Sequence, residues 1–316
     1  EGRSTRAQQG STHGANPEFV KLTADSHPMD FFELFFPRDF RDRHFKQNSN
    51  IYATQHAAGA DHYVGWTPFS LEDIDKGLSL LIRNGLVLVP DMRLHFADPN
   101  TNHVYGHNAV HTMWGRGVRR WEEFRAFFHV QDSRLTPDAE DPLWKVRNLI
   151  DHVRSRSKAL WCCGMNLALD EQTIGFQGRH KAKMRITYKA EGDGFQCDAI
   201  CDNGYTINWL FRHEKIPSLR VEDGIDVSHI TSQNTRRSLW LVDTMGECTG
   251  TWHRLWFDNL YTSRIFLEEL YKRKMLGTGV CRRGGRGLPA SVIQEKKTRQ
   301  TELADALGEV KVARYD

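Results

Sequence analysis

Two aspartates stand out because each follows a short apolar run. Asp170 comes after Met165-Asn166-Leu167-Ala168-Leu169, and Asp258 after Leu255-Trp256-Phe257. A carboxylate delivered by the end of a buried strand is anchored by a rigid element yet open to a ligand. That is the placement a hard divalent cation such as Mg2+ or Mn2+ requires. Taken singly, each also reads as a turn or cap residue, and Asp258 could serve the helix that follows it. Cys197 and Cys201 are a weaker metal candidate. They share one face with Phe195 and Ala199 at two-residue steps of an alternating run, which favours core cysteines over half of a zinc site whose other ligands are not found.

The elements that must hold the aspartates can be read from periodicity. Phe195, Cys197, Ala199 and Cys201 alternate with polar Gln196, Asp198 and Asp202; Asn203-Gly204 then turns the chain into Tyr205, Ile207, Trp209 and Phe211. This pattern predicts a β-hairpin over 195–211. A helix is expected within 228–250. After the strand ending at Asp258, a Thr262-Ser263 cap leads into a helix at 263–274, and a strand follows at 277–282. Three antiparallel strands followed by α/β units give an α/β sheet layout.

Upstream the spacing is helical. Phe31, Phe32, Leu34, Phe35 and Phe36 form a short helix that Asp30 could cap and Pro37 would stop. Ser70 and Asp73 resemble a capping box ahead of Ile74, Leu78 and Leu81. Trp121, Phe124, Phe127 and Phe128 make an aromatic stripe, and Leu143, Val146, Leu149, Ile150 and Val153 mark a further helix. Such stripes are more often core than a ligand box. Between them 132–142 carries two prolines and reads as a linker, while 1–28 is too polar to offset its ordering entropy and reads as a disordered tail.

The chain has 316 residues, 39% of them hydrophobic and 26% charged, which is enough apolar mass for one large domain or two ordinary ones. The best membrane candidate, 78–89, is broken by Arg83 and Asn84 and falls short of the ~20 residues a span needs. No apolar run near the amino terminus suggests a secretory signal, and six scattered cysteines point to reduced thiols inside the cell. The total charge of +3 conceals a basic stretch. Over 271–300 nine basic residues face only Glu295, a balance of +8, so the rest of the chain carries −5. A basic segment on a mildly acidic body suggests a polyanion partner.

Several blocks carry a specific resemblance. These are Asp170-Glu171-Gln172-Thr173-Ile174-Gly175, Asp258-Asn259-Leu260-Tyr261-Thr262-Ser263 with its helix Phe266-Leu267-Glu268-Glu269-Leu270, and Gly277-Thr278-Gly279-Val280-Cys281-Arg282-Arg283. With Phe31-Phe32-Glu33-Leu34-Phe35-Phe36 and Asp141-Pro142-Leu143-Trp144 upstream, they resemble the piggyBac-type transposases and their transposable element-derived relatives, over about 29–316. The resemblance implies an α/β fold with an RNase H-like mixed sheet, preceded by an all-helical N-terminal region. Its organisation would be a tail at 1–28, a helical dimerisation and DNA-binding region at 29–160, a partial catalytic core at 161–285 and the start of a basic insertion at 286–316.

It further implies a nuclear protein that binds double-stranded DNA, as a homodimer, with no membrane and no small-molecule cofactor. Three aspartates would hold Mg2+ or Mn2+ for strand cleavage and transfer. Two ions about 4 Å apart activate the attacking oxygen and stabilise the leaving one, and cations between clustered carboxylates keep them ionised. Asp170 matches the first aspartate and Asp258 the second. No Gly-Gly-Val-Asp-like motif for the third is found in this sequence, and Asp316 is not assigned that role. Two carboxylates would bind metal weakly. DNA contacts are expected from Arg282, Arg283, Arg286, Lys296, Lys297 and Arg299. The alternative is a domesticated, non-catalytic DNA-binding or protein-interaction module on the same scaffold.

Overall fold

The computed structural model describes residues 13–17, 21–23, 25–57, 63–98, 100, 117–185, 192–217, 219, 227–246 and 250–281. They form two compact units, Leu22–Arg156 and a second from Ser157 onward that includes the short stretch around Gly14.

The first unit is helical. Helix α1 (Pro28–Phe35) starts at His27, whose ring accepts from the Met29 amide, while Asp30 reaches back to the His27 amide. Asp30 was expected to be the cap itself; it instead closes a box, because Pro28 already supplies the fixed φ of the first helical residue. After Pro37 come α2 (Arg38–Phe40), seven π-helical residues Arg41–Gln47, and α3 (Asn48–Ala57). Helix α4 (Leu71–Leu86) opens on the expected Ser70/Asp73 capping box. Ile74 is buried as expected and Leu78 packs partly buried against the core, but Leu80 is buried rather than Leu81, which is exposed.

Helix α5 (Val118–Phe127) buries Trp121, Phe124 and Phe127, and the three rings make the core with Phe40, Phe45, Phe69 and Ile74. Phe124 lies on α4 at Gly77, where a Cβ would come within 2.4 Å of the ring. Buried Arg120 ties the two helices electrostatically. It pairs with Asp73 and Glu123 at 2.8 Å each and lies over the Phe69 ring. Helix α6 (Arg147–Ala159) carries the chain into the second unit.

The second unit is built on a mixed sheet. Short strands β1 (Gly14–Ala15) and β2 (Trp161–Cys162) pair antiparallel, so part of the stretch expected as tail has a strand partner that its own composition could not reveal. The main sheet comprises β3 (Asn166–Gly175), β4 (Met184–Arg185), β5 (Asp193–Asp202), β6 (Tyr205–Phe211), β7 (Arg254–Phe257) and β8 (Leu276–Gly279). Strand β5 is antiparallel to β3, β4 and β6, whereas β3, β7 and β8 run parallel in that order. The hairpin turns at Asn203-Gly204, both with positive φ, the geometry a two-residue hairpin loop needs.

Parallel strands require crossovers, and α7 (Gln233–Asp243) and α8 (Arg264–Lys272) supply them. Both helices share one core with the same sheet face: Leu239, Leu241, Val242, Phe266 and Leu270 pack with Leu167, Leu169, Ile200, Leu255 and Phe257. At about 25 cal/mol per Å2 of apolar surface, each such side chain contributes roughly 1.5–3 kcal/mol. No helix among the described residues is long and apolar enough to cross a membrane.

Candidate functional site

Strands β3 and β7 bring the two aspartates together. Their parallel register pairs Leu167 with Leu255, Ala168 with Trp256 and Leu169 with Phe257, so Asp170 and Asp258 each stand one residue past the last paired rung. Alternation fixes their side. Leu167 and Leu169, like Leu255 and Phe257, are buried under the helices, while Asn166, Ala168, Asp170 and Trp256 are exposed on the other side, and Asp258, just past the end of β7, is exposed too. Neighbouring strands lie about 4.8 Å apart, so two carboxylates at this level are within reach of a shared ion.

The strand does not stop at Asp170, as the sequence suggested. It continues to Gly175 against β5, and what ends at Leu169 is its pairing with β7. Each aspartate accepts one short hydrogen bond from the backbone just after it: Asp170 Oδ1 from the Glu171 amide at 2.7 Å, and Asp258 Oδ1 from the Leu260 amide at 2.8 Å. Among the described residues, the second oxygen of each has no protein donor. Asp258 is not the cap of α8. Ser263 is, accepting from the Phe266 amide, which leaves the Asp258 carboxylate outside the helix.

The donor set is chemically suited to a hard divalent cation, being oxygen only and open to solvent. It is also sparse, since no cluster of three or more His, Cys, Asp or Glu residues suited to a metal occurs among the described residues. Cys197 and Cys201 are free thiols in the sheet. Cys201 sits beside Thr206 and Gln172, and burial pushes its thiol up. The six basic residues Arg282, Arg283, Arg286, Lys296, Lys297 and Arg299 lie outside the described residues.

Behind the aspartates lies a polar network that the sequence did not disclose. Gln196, Asp198 and Asp202 are the polar residues that alternate with the apolar ones along β5, and all three are buried. The reason is topological: β5 is an inner strand, and its Asp198 side faces α7. Asp198 Oδ2 accepts from Arg237 Nε at 2.6 Å; its Oδ1 accepts from Arg212 at 3.0 Å and from the Tyr261 hydroxyl at 2.9 Å. Arg212 also donates to Glu171 at 2.7 Å. Two carboxylates and two guanidinium groups therefore balance. Burial, followed by the Asp198 carboxylate, pushes the Tyr261 phenol far above its ordinary range, so it donates as a neutral hydroxyl. An arginine amid the apolar residues of α7 was the one available signal of a buried acid.

Residues 27–315 match the family model described as Transposase IS4, and the chain belongs to that family. The fold agrees with a cryo-EM structure described as the piggyBac transposase synaptic complex with hairpin DNA. The TM-score is 0.69 at 18% identity, covering 95% of this chain and 57% of that one. The family match bears out the transposase expectation, and the structural likeness bears out the fold expected from the piggyBac-type resemblance. The chain spans little more than half the length of that solved transposase.

Proposed function

We propose that this chain is a transposase-like DNA-binding protein of piggyBac type in which Asp170 and Asp258 jointly hold Mg2+ or Mn2+ in a DNA strand cleavage and transfer site. The observation that carries this reading is the β3–β7 register, which leaves both aspartates one residue past the same rung, each of them exposed. A bound divalent ion would supply Lewis-acid polarisation of a phosphoryl oxygen and lower the pKa of an attacking hydroxyl. The protein's part is to hold the carboxylates, each fixed through Oδ1 by the Glu171 or Leu260 amide. Two carboxylates leave most of an octahedral shell to water, so binding is weak.

Phosphate contacts come from Arg282, Arg283, Arg286, Lys296, Lys297 and Arg299. The RNase H-like character of the sheet, dimerisation through 29–160, a catalytic core over 161–285 and action in the nucleus belong to the same reading. Duplex binding measured across salt concentrations tests it. Six phosphate contacts give a slope of log K against log salt of about −5. A variant with Gln at the six positions is expected to bind more weakly with a flatter slope. An unchanged slope would assign the DNA surface to other residues, and no binding by the parent would leave the interaction-module alternative.

A further inference from the structure

The buried network touches both strand ends at the candidate site. Through Arg212, Asp198 holds Glu171, the residue after Asp170, and it accepts directly from Tyr261, three residues after Asp258. We propose that Asp198 is a positioning residue that fixes the separation of Asp170 and Asp258; this rests on reading those two as metal ligands. Its carboxylate lies on the covered side of the sheet and bonds to neither aspartate, so its influence passes through the Arg212–Glu171 and Tyr261 side chains and the backbone that carries them.

The geometry suits that role better than one in stability alone. Asp198 uses both oxygens: Oδ2 is fixed to α7 by Arg237, whose other donors reach the Leu210 and Arg212 carbonyls. Oδ1 serves the two connections toward the aspartates. A single side chain thus references β3 and the turn after β7 to the same point on β5. The direct β3–β7 ladder ends at Leu169 and Phe257, and beyond that rung Asp198 hydrogen-bonds toward both strand ends at once. Positions beyond the first coordination sphere that orient ligands typically change metal affinity by 10–100-fold when replaced.

The test compares Asp198→Asn with Asp243→Asn. The latter weakens another buried ion pair in the same unit, Asp243–Arg273, next to the far end of α8 from Ser263. Two readouts are taken: Mn2+ affinity, and backbone order parameters of the Glu171 and Leu260 amides without metal. The expected result for Asp198→Asn is an affinity about tenfold lower or worse, with both amides falling from about 0.85 toward 0.6. Asp243→Asn is expected to change neither. Should Asp198→Asn fail to fold, Tyr261→Phe is expected to loosen Leu260 alone and Arg212→Gln to loosen Glu171 alone. Unchanged amides in these variants, or equal loosening in Asp243→Asn, would overturn the proposal. If Asp170→Asn leaves Mn2+ affinity at the parent's value, the metal reading fails, and the amide measurements alone decide whether Asp198 positions the strand ends.

Discussion

Tyr261 places a burden on the fold at alkaline pH. An unfolded tyrosine loses its proton near pH 10, whereas burial and the adjacent Asp198 keep the folded Tyr261 phenol protonated to higher pH. Above about pH 10 the unfolded state sheds a proton that the folded state retains, so stability falls as pH rises, while below it the contribution is fully present. Urea midpoints from about pH 9 to about pH 11 should decline in the parent and decline less in Tyr261→Phe. An equally steep decline in the variant would place the cause in another group. The Asp198–Arg237 pair is buried on both sides, at 2% and 4% exposure. Removing one partner of such a pair leaves an uncompensated charge, and Arg237→Ala should lose about 3–5 kcal/mol of unfolding free energy. A loss below about 1 kcal/mol would mean that water reaches Asp198.

The helices carry two opposed expectations that magnitudes resolve. Gly77 in α4 would gain about 1 kcal/mol of helix propensity as Ala. The new Cβ would lie 2.4 Å from Phe124, a fully buried ring stacked on Trp121 with little freedom to yield. Overpacking costs about 1–3 kcal/mol, so Gly77→Ala should lower the thermal midpoint; a raised midpoint would show that the ring moves freely. Ser263→Ala should cost about 1 kcal/mol through the lost cap of α8, and leave Mn2+ affinity at the site unchanged because the cap lies outside the pair of carboxylates. These elements were legible because each has a local cause. The Ser70/Asp73 box, the Asn203-Gly204 turn and the spacing of Trp121, Phe124 and Phe127 all act within a few residues. Where the cause was not local, the reading failed. The burial of Gln196, Asp198 and Asp202 could not be read because alternation does not tell whether a strand is covered on one side or two, and β3 could not be seen to outlast its partner β7.

For the molecule as a whole, the alternation of elements after 160 conveyed the α/β layout, and the resemblance at Asp170 and Asp258 conveyed the transposase family that the match over 27–315 shows. What no single segment could convey is register, which decides whether two aspartates 88 positions apart meet. Register here follows from matching two buried pairs, Leu167 with Leu255 and Leu169 with Phe257, against the same helices. A slip of one residue would turn the two buried apolar side chains of the slipped strand, Leu167 and Leu169 or Leu255 and Phe257, away from the helices. The joint use of Asp170 and Asp258 as ligands is the central claim, and titration of the parent, Asp170→Asn and Asp258→Asn with Mn2+ by calorimetry tests it most directly. The account predicts weak binding by the parent that either single replacement removes almost entirely, since one carboxylate cannot replace a shared pair. Equal Mn2+ affinity in all three proteins would contradict it.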